Sequence, residues 1–121
     1  MKPLRILVVE DDALLGISLG EVLVEMGHSV CAVTGTVAGA LAEAAKHKPE
    51  LLIVDAWLRD GSGISAVKQI CETGYVPHLF ASGDISFIRT QRPDAVMLQK
   101  PYQMADLSRA IEAAVSIHAI S

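Results

Sequence analysis

The stretch "LLIVDAWLRDGSG", residues 51–63, decides how this chain folds. Its first four residues, Leu51 to Val54, are large and aliphatic without alternation, the pattern of a strand buried on both faces of a parallel sheet. The run stops at a carboxylate, Asp55, and a turn rich in Gly and Asp follows. An unpaired buried charge costs on the order of several kcal/mol. Asp55 therefore either surfaces at the strand end or meets a cation there.

Runs of the same kind recur on both sides: "ILVV" (6–9), "LFA" (79–81), "AVML" (95–98) and a weaker "SVCAV" (29–33). Helical patterns lie between them. Leu14, Leu15, Ile17, Leu19, Val22, Leu23 and Met26 give a wide apolar face, closed by Gly27. Ala38 to His47 reads as an Ala-rich helix with Thr36 as its N-cap and Pro49 beyond its end. Ile64 to Thr73 reads as a helix stopped by Gly74, and Met104 to His118 sets Leu107, Ile111, Ala114, Val115 and His118 at helical spacing. Asp84 to Arg92 is poorly patterned, so a short or loose helix is expected there. Strand and helix thus alternate five times. Right-handed crossovers turn that order into a (βα)₅ doubly wound five-stranded parallel sheet with helices on both faces.

Composition narrows the function classes. The chain has 121 residues, 51% hydrophobic and 20% charged, enough for one domain with a real core over residues 1–121. A net charge of -4 and no Lys or Arg cluster argue against a nucleic-acid surface. Cys31 and Cys71 form no C-x-x-C pair and read as small buried residues in a reducing compartment. "MKPLRILVVEDD" is too short an apolar run for a signal peptide or a membrane span. A cytoplasmic protein is expected.

In doubly wound sheets, ligands sit outside the carboxyl ends of the strands. Glu10, Asp11 and Asp12 follow the first run, Asp55 the third, Ser82 and Gly83 the fourth, and Gln99, Lys100 and Pro101 the fifth. Taken singly, each has a plainer role: Asp12 caps a helix, Glu10 or Asp11 is a solvated acid, Ser82-Gly83 is a turn, and Pro101 starts the last helix. Together they bring acids, a hydroxyl and an ammonium to one rim. A hard divalent cation resolves the repulsion among the acids, and Mg²⁺ binds through few carboxylates while leaving room for phosphate oxygens. Mg²⁺ and Lys100 are then the cations that Asp55 meets. Asp55 becomes a candidate nucleophile toward phosphorus, with Lys100, Ser82 and the metal sharing the phosphoryl oxygens.

"ILVVEDD", "LLIVDAWL", "FASGD" and "LQKPY" together resemble the receiver domain of two-component response regulators, the CheY-like superfamily, over nearly the whole chain. The resemblance implies a flavodoxin-like receiver fold and transfer of a phosphoryl group from a sensor histidine kinase, or a histidine phosphotransfer protein, onto Asp55. It implies Asp11 as a direct Mg²⁺ ligand, Glu10 acting largely through water, and the backbone carbonyl of Trp57 completing the site. Ser82 matches the switch hydroxyl and Lys100 the lysine before proline. "PHLFASGD" with "LQKPY" also resembles a subgroup of short regulators nicknamed FAT GUY after Phe-Ala-Thr-Gly-x-Tyr. Phe80 to Gly83 fit that motif and its tyrosine is not matched.

The departures shape the expectations. Arg59 stands where the family often has Pro, and Ser62-Gly63 replaces a usual Asp-Gly. Met97 stands at the position of the aromatic switch, so no ring can swing there in concert with Ser82. Trp57, two residues past Asp55, either shields the acyl phosphate from water or packs on the surface beside the first helix. No output domain is expected after the receiver, so function runs through a protein partner, either as a phosphoryl shuttle or sink between histidine-bearing proteins or as a switch whose phosphorylated face binds a target. The family's usual faces are the first helix for the kinase and the fourth helix–fifth strand–fifth helix face for targets. The latter carries Arg89, Gln91, Arg92, Tyr102 and Gln103 here. A receiver segment of a hybrid histidine kinase, or a degenerate receiver binding partners without phosphorylation, are the alternatives. A dinucleotide binder would need glycines where this chain has three acids. A dehalogenase-like phosphatase would need a second Asp where Trp57 stands. "RDGSG" lacks the spaced ligands and closing Glu of a calcium loop.

Overall fold

A computed structural model of the chain describes residues 2–120, and the side chains of residues 2–117. Five parallel strands form the central sheet: β1 (Arg5–Val9), β2 (Ser29–Thr34), β3 (Leu51–Asp55), β6 (His78–Ser82) and β7 (Met97–Gln99), in the order β2-β1-β3-β6-β7. The helices between them are α1 (Ala13–Glu25), α2 (Val37–His47), α3 (Gly63–Ile70), α4 (Ser86–Gln91) and α5 (Met104–Ile120). This is the (βα)₅ flavodoxin-like arrangement expected. One element was not: β4 (Trp57–Leu58) and β5 (Gly61–Ser62) make a small antiparallel hairpin in the turn after β3.

Alternation along the strands divides the core in two. Ile6, Val8, Leu51, Ile53, Leu79 and Leu98 face α1 and α5, where they meet Leu23, Leu107, Ile111 and Ala114. Leu7, Val9, Leu52, Val54 and Phe80 face α2, α3 and α4, where they meet Ala40, Ala44, Val67, Ile70 and Ile88. Each large aliphatic side chain fully buried this way stabilises the fold by about 1.5–3 kcal/mol. The side chain of His118, expected on the same face as Leu107 and Ile111, lies outside the described residues.

The helix starts follow their caps. Asp12 accepts from the Leu14 and Leu15 N–H groups at 3.0 and 3.2 Å, and Thr36 accepts from Gly39 at 2.9 Å. The third helix ends earlier than expected, at Ile70, and continues as a 3₁₀ turn over Cys71–Thr73 before Gly74. α4 is short, as its weak pattern implied. β7 begins two residues inside the "AVML" run, although the Val96 carbonyl still accepts from Phe80 N–H at 3.0 Å. α5 starts at Met104, so Pro101 is not its first residue. Both cysteines are half-buried and free rather than fully buried. Among the described residues no helix is long and apolar enough to cross a membrane.

The apolar face expected for α1 is only partly buried. Leu14, Leu15 and Ile17 are 77%, 51% and 54% exposed, whereas Gly16, Gly20 and Leu23 are the buried positions. The cause is close packing. A Cβ on Gly16 would stand 2.7 Å from Val33 Cγ1, so the helix rests on β2 through its glycines and turns several large residues outward.

At the edge where the strands begin, polar groups are tied off. Arg5 donates from Nη1 and Nη2 to the His47 and Lys48 carbonyls, both at 2.8 Å, and its backbone N–H reaches Glu50 Oε1 at 2.9 Å. His28 Nδ1 accepts from Leu4 N–H at 3.0 Å. His78, buried, contacts the Val76 carbonyl through Nδ1 and receives Arg92 Nη2 at Nε2, 3.2 Å away. Burial and the Arg92 charge hold its pKa below the usual imidazole value, against the pull of the Val76 carbonyl. The Arg92 guanidinium, half-buried, also lies 5.8 Å from the Phe80 ring centroid.

Candidate functional site

The opposite edge gathers the acids. Register places Val9, the last residue of β1, beside Val54, and Asp55 beside Ala81, so Glu10 and Asp55 leave adjacent strands at nearly the same level. Ser82 pairs with Gln99, which brings Lys100 to that level too. Backbone bonds fix the loops: Glu10 N–H to Thr34 O at 2.8 Å, Ala56 N–H to Ala81 O at 3.1 Å, and Lys100 N–H to Ser82 O at 2.8 Å. Gly63 returns the chain against β3, where an added Cβ would overlap the Asp55 carbonyl.

Glu10, Asp11 and Asp55 each turn a carboxylate oxygen into one spot, all within 4.8 Å of one another. Lys100 Nζ donates to Glu10 Oε1 at 2.6 Å and stands 3.5 Å from Asp55 Oδ1. The surroundings are graded, with Glu10 buried, Asp55 half-buried and Asp11 exposed. Burial and the neighbouring Glu10 carboxyl push Asp55 up to about 7, against the pull of Lys100. Glu10 goes the other way: burial disfavours its charge, but hydrogen bonding with Asp55 and Lys100 outweighs that and holds its pKa low. Lys100 loses solvation as well, yet its carboxylate partners keep its pKa above the ordinary value. Three hard oxygen donors gathered at one spot suit a small divalent cation.

Other expected residues lie around this centre. Ser82 is buried on the strand next to Asp55, and its Oγ accepts from Asp84 N–H at 3.2 Å. Trp57 is 55% exposed and stacks on Phe87 of α4, ring centroids 4.4 Å apart, so the indole leans on α4 and not on α1. Met97 is half-buried against the α4 side of the core. Asp60 was not foreseen. Its carboxylate accepts from Val37 and Ala38 N–H at 2.6 and 3.2 Å, pinning the β4–β5 hairpin to the start of α2. Those backbone bonds, with Arg59 nearby, keep its pKa low.

A five-stranded parallel sheet with acids and a lysine at its carboxyl edge is the architecture of a receiver-type signalling domain. The chain belongs to the response regulator receiver domain family, which matches residues 6–112. It is 35% identical over 118 residues to the transcriptional regulatory protein PdtaR of Mycobacterium tuberculosis, covering 94% of this chain and 58% of that one. It is 34% identical over 115 residues to the phyllosphere-induced regulator PhyR of Methylorubrum extorquens, covering 92% of this chain and 43% of that one. The chain thus spans about half the length of the curated relatives it matches. The receiver domain of Erythrobacter litoralis PhyR superposes with a TM-score of 0.84 at 29% identity, over 96% of this chain and 92% of that one.

Proposed function

We propose that residues 1–121 act as one phosphoacceptor unit of a two-component phosphorelay. Asp55 takes a phosphoryl group from the phosphohistidine of a sensor histidine kinase or a histidine phosphotransfer protein. The observation that carries the reading is the meeting of Glu10, Asp11 and Asp55 around Lys100, whose Nζ lies 2.6 Å from Glu10 and 3.5 Å from Asp55. Glu10, Asp11, Asp55 and the Trp57 backbone carbonyl would hold Mg²⁺. When bound, that ion supplies charge neutralisation for the acids and for the incoming phosphoryl oxygens.

This chain's own residues do the rest. Asp55 Oδ attacks phosphorus; the O–P bond forms as the donor's N–P bond breaks, and the leaving imidazole takes its proton from solvent. Lys100 balances a phosphoryl oxygen. Ser82 gives up its contact with Asp84 N–H to donate to another, which couples the acyl phosphate to the β6–α4 loop. With Met97 in place of a ring, that coupling works through the packing of Ile85, Ile88 and Met97 rather than by an aromatic swing.

The exposed Leu14 and Leu15 on α1, with a cavity of about 500 Å³ between α1 and the start of α5, suit an apolar partner helix carrying the donor histidine. Output then goes to a protein target, in a cytoplasmic setting, without nucleic acid or membrane contact by this unit. In a longer regulator or a hybrid kinase the same unit would work within a larger chain.

The deciding experiment is intact-mass spectrometry after incubation with a small phosphodonor and Mg²⁺. One phosphoryl group gained by the parent and none by Asp55→Asn is the expected result. No gain in either protein, with beryllofluoride also failing to bind, would make this a phosphorylation-independent binding module.

A further inference from the structure

Arg59 occupies the tip of the β4–β5 hairpin, a position where the sequence departs from its family. The structure gives it a definite seat. A Cβ built on Gly35 would overlap its guanidinium and would lie 3.1 Å from the Asp11 Cα. The guanidinium therefore rests on bare backbone at the end of β2, beside Asp11. It lines a cavity of about 200 Å³ with Glu10, Asp11, Ala13, Ile17, Val33, Thr34 and Gly35. Its approach is fixed from behind, because Asp60 holds the hairpin to the Val37 and Ala38 N–H groups at 2.6 and 3.2 Å. Among the described residues Arg59 forms no ion pair; the nearby Asp60 carboxylate, whose pKa its charge helps to lower, is turned to the Val37 and Ala38 N–H groups.

The acidic centre is thus flanked by two cations. Lys100 sits inside, against Glu10 and Asp55; Arg59 sits outside, toward Asp11. We infer that Arg59 is a resident counter-cation that weakens divalent-metal binding at Glu10, Asp11 and Asp55, so the metal must compete with a charge the chain itself supplies. The inference rests on the proposed Mg²⁺ site and concerns how tightly that site binds. A guanidinium keeps its charge at any working pH, so the competition is constant, and salt is what screens it.

Calorimetric titration with MgCl₂ in low-salt buffer tests this without any phosphorylation assay. Arg59 is exposed, so its replacement leaves the core intact. Arg59→Ala is expected to bind Mg²⁺ about three- to tenfold more tightly than the parent, with the gap narrowing as ionic strength rises. Arg59→Lys, which keeps the charge, should stay near the parent. Gly35→Ala, which fills the seat but keeps the arginine, should shift in the same direction as Arg59→Ala. Equal or weaker binding by Arg59→Ala, with the parent binding normally, overturns the inference and leaves the metal site standing. Binding by Arg59→Ala alone supports it. No binding by any of the proteins overturns both.

Discussion

Where the strands begin, Arg5 spreads its donors over two carbonyls and meets Glu50; where they end, two carboxylates share one ammonium and a third, that of Asp11, stands beside them. Both edges use ordinary charged residues on the same sheet. At the first, the surplus donors of a guanidinium are consumed by backbone acceptors, and the edge is electrostatically closed. At the second, Asp55 is pushed up to about 7 because burial and Glu10 both oppose its charge. The closed edge serves stability. The open edge spends some stability to hold acids and an ammonium together.

The sharpest way to break this contrast is to remove the nucleophile. Asp55→Asn should lose phosphorylation entirely, read by intact mass. Lys100→Ala should slow phosphorylation by a small phosphodonor about a hundredfold, since a preorganised charge on a phosphoryl oxygen is gone. The same change should destabilise the metal-free protein by about 2 kcal/mol, as it leaves two buried or half-buried carboxyls facing each other. Adding Mg²⁺ should restore most of that in thermal unfolding; no recovery would mean that the acids do not hold the ion.

Arg5→Ala works at the other edge. It should cost about 1–2 kcal/mol by denaturant titration, from the lost hydrogen bonds, with unchanged phosphorylation rate. A slowed rate would show that the two edges are not independent. A further effect is a gain in stability on Asp55→Asn in the metal-free protein near neutral pH. The sign follows from Asp55 being raised. Between its ordinary value of 3.8 and about 7 the native state holds a proton that the unfolded chain has released. Parent stability should therefore fall as pH rises through that window, and the Asn variant should lack this slope. Glu10, held low, contributes the opposite trend at more acid pH. Last, Trp57→Ala should shorten the aspartyl-phosphate lifetime about threefold if the indole on Phe87 screens the site from water. An unchanged lifetime would remove that role.

The strands and the polar groups gathered at their ends were legible because unbroken aliphatic runs end abruptly in acids, a serine and a lysine. Such runs mark both the layer and the edge at which chemistry collects. The α1 face misled, because Leu14, Leu15 and Ile17 outweigh Gly16 and Gly20 in any count of hydrophobic residues. Close contact between helix and sheet is decided by the small residues, which such a count ignores. The hairpin after β3 and the Asp60 cap were invisible for another reason. Asp60 serves Val37, 23 residues earlier, and no local spacing encodes that meeting. Arg92 looked like a surface charge until His78 and Phe80, both on β6, closed over it.

Lys100 reaches Glu10 across 90 residues of chain. Asp55 and the other acids are translated early, but the ammonium emerges only just after β7, near the end of the receiver. A nascent or truncated chain lacking that strand would carry Asp55 without the partner that readies it. Acceptance of a phosphoryl group would then double as an inspection of the finished product, with signalling open only to chains whose last strand has docked.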